Sequence, residues 1–457
     1  MFWNNVLIAL RNLSKHKVFA LMNILGLSIG LVVFVFGNLL VRYEANHDAN
    51  FANADHIYSI GSNAAPGLEV GFSRFNSTFS AVAPLIESDL EDIESVARSM
   101  VYEYLVSAGE ESFYQLIRFV DPGFFSMFDL DFIQGDAAVF SDPAAVLLTE
   151  SSAIRYFGTT DVVGQVLTLD NQYDFRVGAV VQNLPQNTHF NSAVFFDAAF
   201  EVVIPIEALA RLRDYDVAAG DWNNLSLTNM VYVQLPPNLD GVWLQSQLDA
   251  LYERHTPEDQ RDVFESFYVT PLRMVNLSIW QTLGLPIITV VQLLSLLVLI
   301  VACVNYTNLA TAQSMGRSRE VGMRKTMGAG RGQLLAQFLT ESVVIATLAM
   351  LELIVPLFNT ATNKVLALNY IETLPWLVLA VVIVGVGAGM YPAMLITKAT
   401  PIEALRDSAR KGRKGSRTRS MMIGGQFAIS AFMLALVAIV FMQNERVKAS
   451  SSEFPRS

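Results

Sequence analysis

Twenty-four consecutive residues, Val18 to Val41, carry no charge. At about 1.5 Å of helical rise per residue such a run exceeds the roughly 30 Å hydrocarbon core of a bilayer. Inside lipid every backbone polar group must be satisfied within the segment, so the run is expected as a transmembrane helix. It is too long for a signal peptide and no small-x-small cleavage site follows, so it reads as a retained anchor. Further apolar runs at 285–312, 334–358, 374–397 and 421–442 raise the expected spans to five. A hydrophobic content of 52% against 16% charged residues agrees with this class.

Charge placement orients the spans. Lys15, His16 and Lys17 precede the first, and Glu44, Asp48 and Asp55 follow it, so the amino terminus is expected inside the cell. Residues 1–17 place Phe2, Trp3, Val6, Leu7, Leu10 and Leu13 at helical spacing opposite Arg11 and Lys15, the pattern of an amphipathic interfacial helix. Loop 313–333 carries Arg317, Arg319, Arg324, Lys325 and Arg331 against one acid, Glu320, and linker 406–420 is also strongly basic. Both are expected inside, and the tail 443–457 outside. Residues 42–284 hold 34 acids against 11 arginines and no lysine, a balance of −23, which places them outside the cytoplasm. Such a surface repels phosphate and argues against nucleic acid or anionic lipid as its partner.

That outer segment reads as a mixed α/β domain. Strands are expected at Gln115 to Val120, Val146 to Leu148, Phe175 to Val181, Met230 to Leu235 and Ser266 to Leu272, and helices at Thr78 to Ser99 and Leu239 to Arg254. The lone Cys303 lies in an apolar run and forms no intramolecular disulfide.

Catalytic patterns are missing from the sequence: there is no G-x-x-x-x-G-K-[ST] loop, no H-E-x-x-H and no G-x-S-x-G elbow. The chain is therefore read as a non-enzyme without a cofactor of its own. Gly385, Gly387 and Gly389 lie inside an apolar span and read as close helix packing rather than a dinucleotide loop. Loop 313–333 is more specific. Gly316 is a helix stop, Ser318 an N-cap, Glu320 an acid in the first turn able to pair with Arg324, and Gly328 or Gly330 the next stop. The expectation is a short helix across the inner mouth of two spans, exposing Val321, Met323 and Met327. Glu341 and Glu352 fall within the third span, where a central carboxylate costs about 2.5 kcal/mol or more, and Asn305, Asn308 and Gln313 read as interhelical hydrogen-bonding residues.

The motifs resemble a known family. Asn305-Tyr-Thr-Asn-Leu-Ala-Thr-Ala312, then Arg319-Glu-Val-Gly-Met-Arg-Lys-Thr-Met-Gly-Ala329 and Gln337-Phe-Leu-Thr-Glu-Ser342, are similar to the signature of FtsX-like permeases of ABC transporters, the group that includes MacB. Val120-Asp-Pro-Gly-Phe-Phe-Ser-Met-Phe128 and Leu148-Thr-Glu-Ser-Ser-Ala-Ile-Arg-Tyr-Phe-Gly158 resemble the MacB-type periplasmic domain. The resemblance implies an FtsX-like transmembrane unit over 285–405 and a bacterial inner-membrane subunit that works with a cytoplasmic ABC ATPase, which binds ATP and Mg²⁺. It assigns ATPase coupling to Arg319, Glu320, Val321, Gly322, Met323, Arg324, Lys325, Gly328 and Ala329. A second permease unit, membrane lipid and a periplasmic adaptor are the further partners implied. The fifth span, with Gly425-Gln-Phe-Ala-Ile-Ser430, is similar to the start of a second unit. The implied function is export or extraction of an amphiphilic molecule, with control of an extracytoplasmic enzyme such as a cell-wall hydrolase as the alternative.

Overall fold

The uncharged amino-terminal run folds as one helix, α1, Lys17–Ala45. The computed structural model describes residues 7, 11, 14, 17–67, 73–109, 111–191, 200–223, 226, 228–282, 286–316, 321, 323, 325–348, 370–398 and 412–452. The chain divides into two units, Arg42–Ile287 and a second one made of Met1–Val41 with Ile288–Ser457. Most of the expected interfacial helix lies outside the described residues.

Eleven strands build the outer unit: β1 Ile57–Ala64, β2 Arg74–Phe75, β3 Ser95–Ala108, β4 Glu111–Val120, β5 Phe132–Gln134, β6 Ala145–Thr149, β7 Val166–Leu169, β8 Tyr173–Val181, β9 Val202–Pro205, β10 Met230–Gln234 and β11 Phe264–Pro271. Their order is β11-β1-β10-β3-β4-β9-β6-β8-β5, with β2 on β1 and β7 bridging β3 and β8. The pairings β3–β4–β9–β6–β8–β7–β3 therefore close on themselves, and Tyr104, Ile117, Phe119, Leu148, Leu167 and Phe175 fill a core drawn from that ring. A second core lies where β1, β10 and β11 meet helices α2, Val82–Asp89, and α4, Gly241–His255. Helix α3, Glu150–Phe157, sits between them in the chain and starts on Thr149, whose hydroxyl accepts from Ser152 N, and stops at Gly158 with φ 75°. Asp240 caps α4 in the same way, accepting from Val242 N and Trp243 N.

All five expected strands form, and the helix expected at Leu239 to Arg254 is α4. The helix expected at Thr78 to Ser99 is corrected: only Val82–Asp89 is helical, and Ser95 already begins β3. Leu90 is extended at φ −114°, ψ 101°, Val96 pairs with Val233 of β10, and from Ser99 onward β3 pairs with β4. Sheet pairing outweighs a helical spacing that carries on past the helix end.

Helix α5, Val275–Thr282, closes the outer unit, and α6 Ile287–Gly316, α7 Arg331–Leu348, α8 Tyr370–Lys398 and α9 Gly412–Ser452 follow. Among the described residues three segments are long and apolar enough to cross a membrane, Ala20–Ala45, Ile288–Gln313 and Ser420–Gln443, and Val378–Met394 is a shorter apolar helix. The expected third span runs into residues 349–369, outside the described residues, and Glu352 is among them. Leu27 and Leu31 of α1 pack with Leu299, Ala302 and Tyr306 of α6 and Val381, Val384 and Ala388 of α8. Leu21, Leu25, Ile29, Leu293, Leu296 and Ile300 stay exposed, large apolar side chains on both α1 and α6.

Candidate coupling site

The basic loop comes after α6. Arg319, Glu320, Gly322 and Arg324 lie outside the described residues, whereas Val321, Met323 and Lys325 are helical. The helix ends where Met327 N donates to Met323 O and Gly328 N to Lys325 O, both at 3.1 Å. Gly328 has φ +94°, a left-handed conformation that a side chain would strain, so of the two glycines expected as stops it is the one used. Gly330 instead opens α7: its carbonyl accepts from Gln333 N and its N–H donates to Gln333 Oε1.

Two contacts bolt this short helix to the spans. Val321 is 4% exposed and packs on Leu334 of α7, with Ala329 and Phe338 beside them. Lys325 Nζ donates to the carbonyl of Thr397 at 2.8 Å, at the carboxyl end of α8. A cation on the last-turn carbonyls of a helix meets the negative end of its dipole. Met323 and Met327 remain exposed, at 50% and 79%. The loop thus presents a methionine surface, and its opposite side is tied to two different membrane helices.

Deeper in the bundle the polar residues hold helices together. Tyr306 Oη donates to Ser342 Oγ at 2.7 Å, and Thr307 Oγ1 to Ala388 O at 2.9 Å, linking α6 to α7 and to α8. Glu341 is buried beside Ser342. Asn305 faces α1, its Nδ2 3.3 Å from the position of a Cβ on Gly26, and Asn308 is half-buried one turn further along α6. The glycine reading holds for two of three positions. A Cβ on Gly385 would lie 2.8 Å from Val343 Cα, one on Gly389 2.2 Å from Ser342 Oγ, and one on Gly387 would meet nothing within 4 Å. Tyr306, Thr307 and Ser342 lie in the signature segments, but their partners, and the Thr397 carbonyl, emerge only once the helices are paired. No group of three or more His, Cys, Asp or Glu side chains that could hold a metal ion occurs among the described residues.

Comparison with known proteins agrees with this layout. Residues 20–251 match the MacB-like periplasmic core domain and residues 293–401 the FtsX-like permease C-terminal domain. The chain is 22% identical to the uncharacterized ABC transporter permease YknZ of Bacillus subtilis, covering 88% of this chain and 98% of that protein. It is also 22% identical to the macrolide export ATP-binding/permease protein MacB of Vibrio parahaemolyticus, covering 87% of this chain but only 59% of that protein's length. The crystal structure of the periplasmic region of MacB from Actinobacillus actinomycetemcomitans aligns with 50% of this chain and 94% of its own at 16% identity and a TM-score of 0.36. With one domain match covering half of the chain and a permease match behind it, this protein belongs to the MacB/FtsX-like family of ABC transporter permeases.

Proposed function

We propose that the chain is the force-transmitting membrane subunit of an ABC exporter. A partner ATPase in the cytoplasm binds ATP and Mg²⁺ and grips loop 313–333, and the resulting movement drives the outer domain to export or extract an amphiphilic molecule. The observation that carries this reading is the double attachment of the loop: Val321 on α7 and Lys325 on α8. A push on Met323 and Met327 then reaches two spans at once. On this reading the chain crosses the inner membrane five times with its amino terminus inside. A second permease unit, from another copy or another polypeptide, completes the transporter, and a periplasmic adaptor receives its product. The names of its relatives, ABC transporter permease and macrolide export, favour transport over control of an extracytoplasmic enzyme.

The test uses side chains that support no fold. Replacing Met323 and Met327 together by glutamate should leave membrane insertion intact and abolish co-purification of the ATPase, because two buried charges at an apolar contact cost several kcal/mol. Lys325→Met should leave the ATPase bound and lower transport for each ATP hydrolysed. Undiminished ATPase binding in the double variant would refute the docking role.

A further inference from the structure

The outer unit is tied down both where the chain enters it and where it leaves. On the incoming side, the turn after α1 is fixed by Asp48, which adopts a left-handed backbone at φ 58° although it is not glycine. Its carboxylate is fully buried and accepts from Thr188 Oγ1 at 2.6 Å and from His189 N at 3.1 Å. It also lies 2.9 Å from His189 Nδ1, and Asp48 N donates to Asn187 O at 2.9 Å. Asn187 Nδ2 donates in turn to Asn46 O. The far nitrogen of His189 is 2.7 Å from the Tyr232 hydroxyl on β10, a strand paired on both sides within the sheet. A buried carboxylate is tolerated only when its partners are complete, so this turn has one geometry.

The outgoing side is tied to the incoming one. Asn276 of α5 donates through Nδ2 to Glu44 Oε2 in the last turn of α1, at 2.6 Å, and Asn276 is only 7% exposed. Just before it, Arg273 Nε lies 2.8 Å from Asp55 Oδ1. His47 packs edge-on against Tyr43 and lies 3.7 Å from Glu44, closing the group. A flexible tether would be rich in glycine and serine and unpaired; Asp48 and Asn276 here are buried and hydrogen-bonded.

We propose that these contacts form a clamp that holds the two ends of the outer unit, residues 44–48 and 273–276, together as one rigid piece. Asp48, Glu44 and Asn276 are its positioning residues. The proposal rests on the transmission reading above. It adds that these two ends do not part while the transporter works.

A crosslinking experiment separates the two. Glu44→Cys with Asn276→Cys, in a Cys303→Ala background, is treated with a short, reducible bifunctional thiol reagent in membranes containing the partner ATPase, without nucleotide and in an ATP-trapped state. The expected result is equal crosslinking in both states and transport by the linked protein within about twofold of the Cys303→Ala parent, about 0.4 kcal/mol of difference. A yield that falls about tenfold in one state, equivalent to about 1.4 kcal/mol, would overturn the clamp. So would transport abolished by the link and restored by reduction. Asp48→Ala should lower the yield in both states and Asp48→Asn, which keeps an acceptor oxygen and tolerates the left-handed backbone, should restore it; an unchanged yield in Asp48→Ala removes Asp48 from the clamp. Failure of the ATPase to associate would sink the transmission reading, while the nucleotide-free yield would still report on the clamp.

Discussion

Three glycines at alternate positions of α8 provide an internally controlled test of how the membrane unit holds together. Each Gly→Ala change gains the same helix propensity, about 1 kcal/mol. The difference among the three variants is therefore the cost of the added methyl group against its surroundings. At Gly385 a Cβ lies 2.8 Å from Val343 Cα and 3.0 Å from its Cγ2, and at Gly389 it lies 2.6 Å from Ser342 Cβ. Carbon atoms rest at about 3.5–4.0 Å, so α7 and α8 must part by roughly 1 Å in either variant. Overpacking of this kind costs about 1–3 kcal/mol. At Gly389 the displaced partner is Ser342, which would also loosen its bond from Tyr306. Gly387→Ala meets nothing within 4 Å and carries only the gain.

Cys303 supplies the assay. It is the single cysteine of the chain, half-buried against the core shared by α1, α6 and α8. A thiol-reactive dye that fluoresces on labelling will report thermal opening of that core in detergent or nanodiscs without any engineered probe. Gly385→Ala and Gly389→Ala should open several degrees below the parent protein, and Gly387→Ala at or above it. Equal midpoints for all three variants, or Gly387→Ala as the weakest, would refute the claim that α7 and α8 meet through small residues.

Other perturbations follow from the same contacts. Asn23 of α1 is 2% exposed and, among the described residues, neither of its amide atoms has a hydrogen-bond partner, so Asn23→Leu should be neutral or stabilising in the dye assay, since removing an unsatisfied buried amide relieves its desolvation cost. Tyr306→Phe should cost at least about 1 kcal/mol, because its hydrogen bond to Ser342 Oγ is lost while Ser342 Oγ keeps its bond to Phe338 O. In the outer unit, the side-chain hydrogen bonds of Arg155 to Glu201 and of His255 to Asp89 hold both carboxyls below their usual range. Their stabilisation is present above that range and disappears as pH falls through the lowered values. Arg155→Met should flatten the acid limb of outer-domain unfolding followed by tryptophan fluorescence, and an unchanged limb would discard the Glu201 contribution.

Alternation made part of the outer domain legible. In β8, Phe175, Val177 and Ala179 are buried, with exposed or half-buried Arg176 and Gly178 between them, so period-two patterning finds it, whereas β6 and β10 are buried almost throughout and read as short apolar runs. β9 is buried throughout as well, but its four residues end on Pro205, which weakens a strand reading. β3 was hidden by a helical spacing that Ile93 and Val96 happen to continue beyond Asp89. At the coupling site, the cation cluster and the Gly328 stop could be read locally, since both are properties of neighbouring residues. The partner of Lys325 could not, because Thr397 is 72 residues away and contributes only its carbonyl. The clamp was equally silent, as Asn276 and Glu44 are 232 residues apart.

Energetics decide which part of such a molecule can move. The outer unit's core is dense in aromatics: Phe124 lies within 6.4 Å, centroid to centroid, of Phe128, Phe190, Phe200 and Tyr232. Removing one such side chain costs about 3–5 kcal/mol, so repacking several is beyond what one binding event supplies. Lipid tails are as apolar as leucine, and the membrane helices have no comparable hydrophobic drive toward one another. They are held by small-residue contacts and by bonds such as Thr307 to Ala388, each worth about 0.6–2 kcal/mol. Shifting a two-state equilibrium from about 1:99 to 99:1 takes about 5.5 kcal/mol. That is enough to exchange a few interhelical bonds and too little to rebuild an aromatic core. On the force-transmission reading proposed above, a force applied at Lys325 and Val321 is absorbed as a rearrangement among α6, α7 and α8, and the outer domain keeps its internal structure.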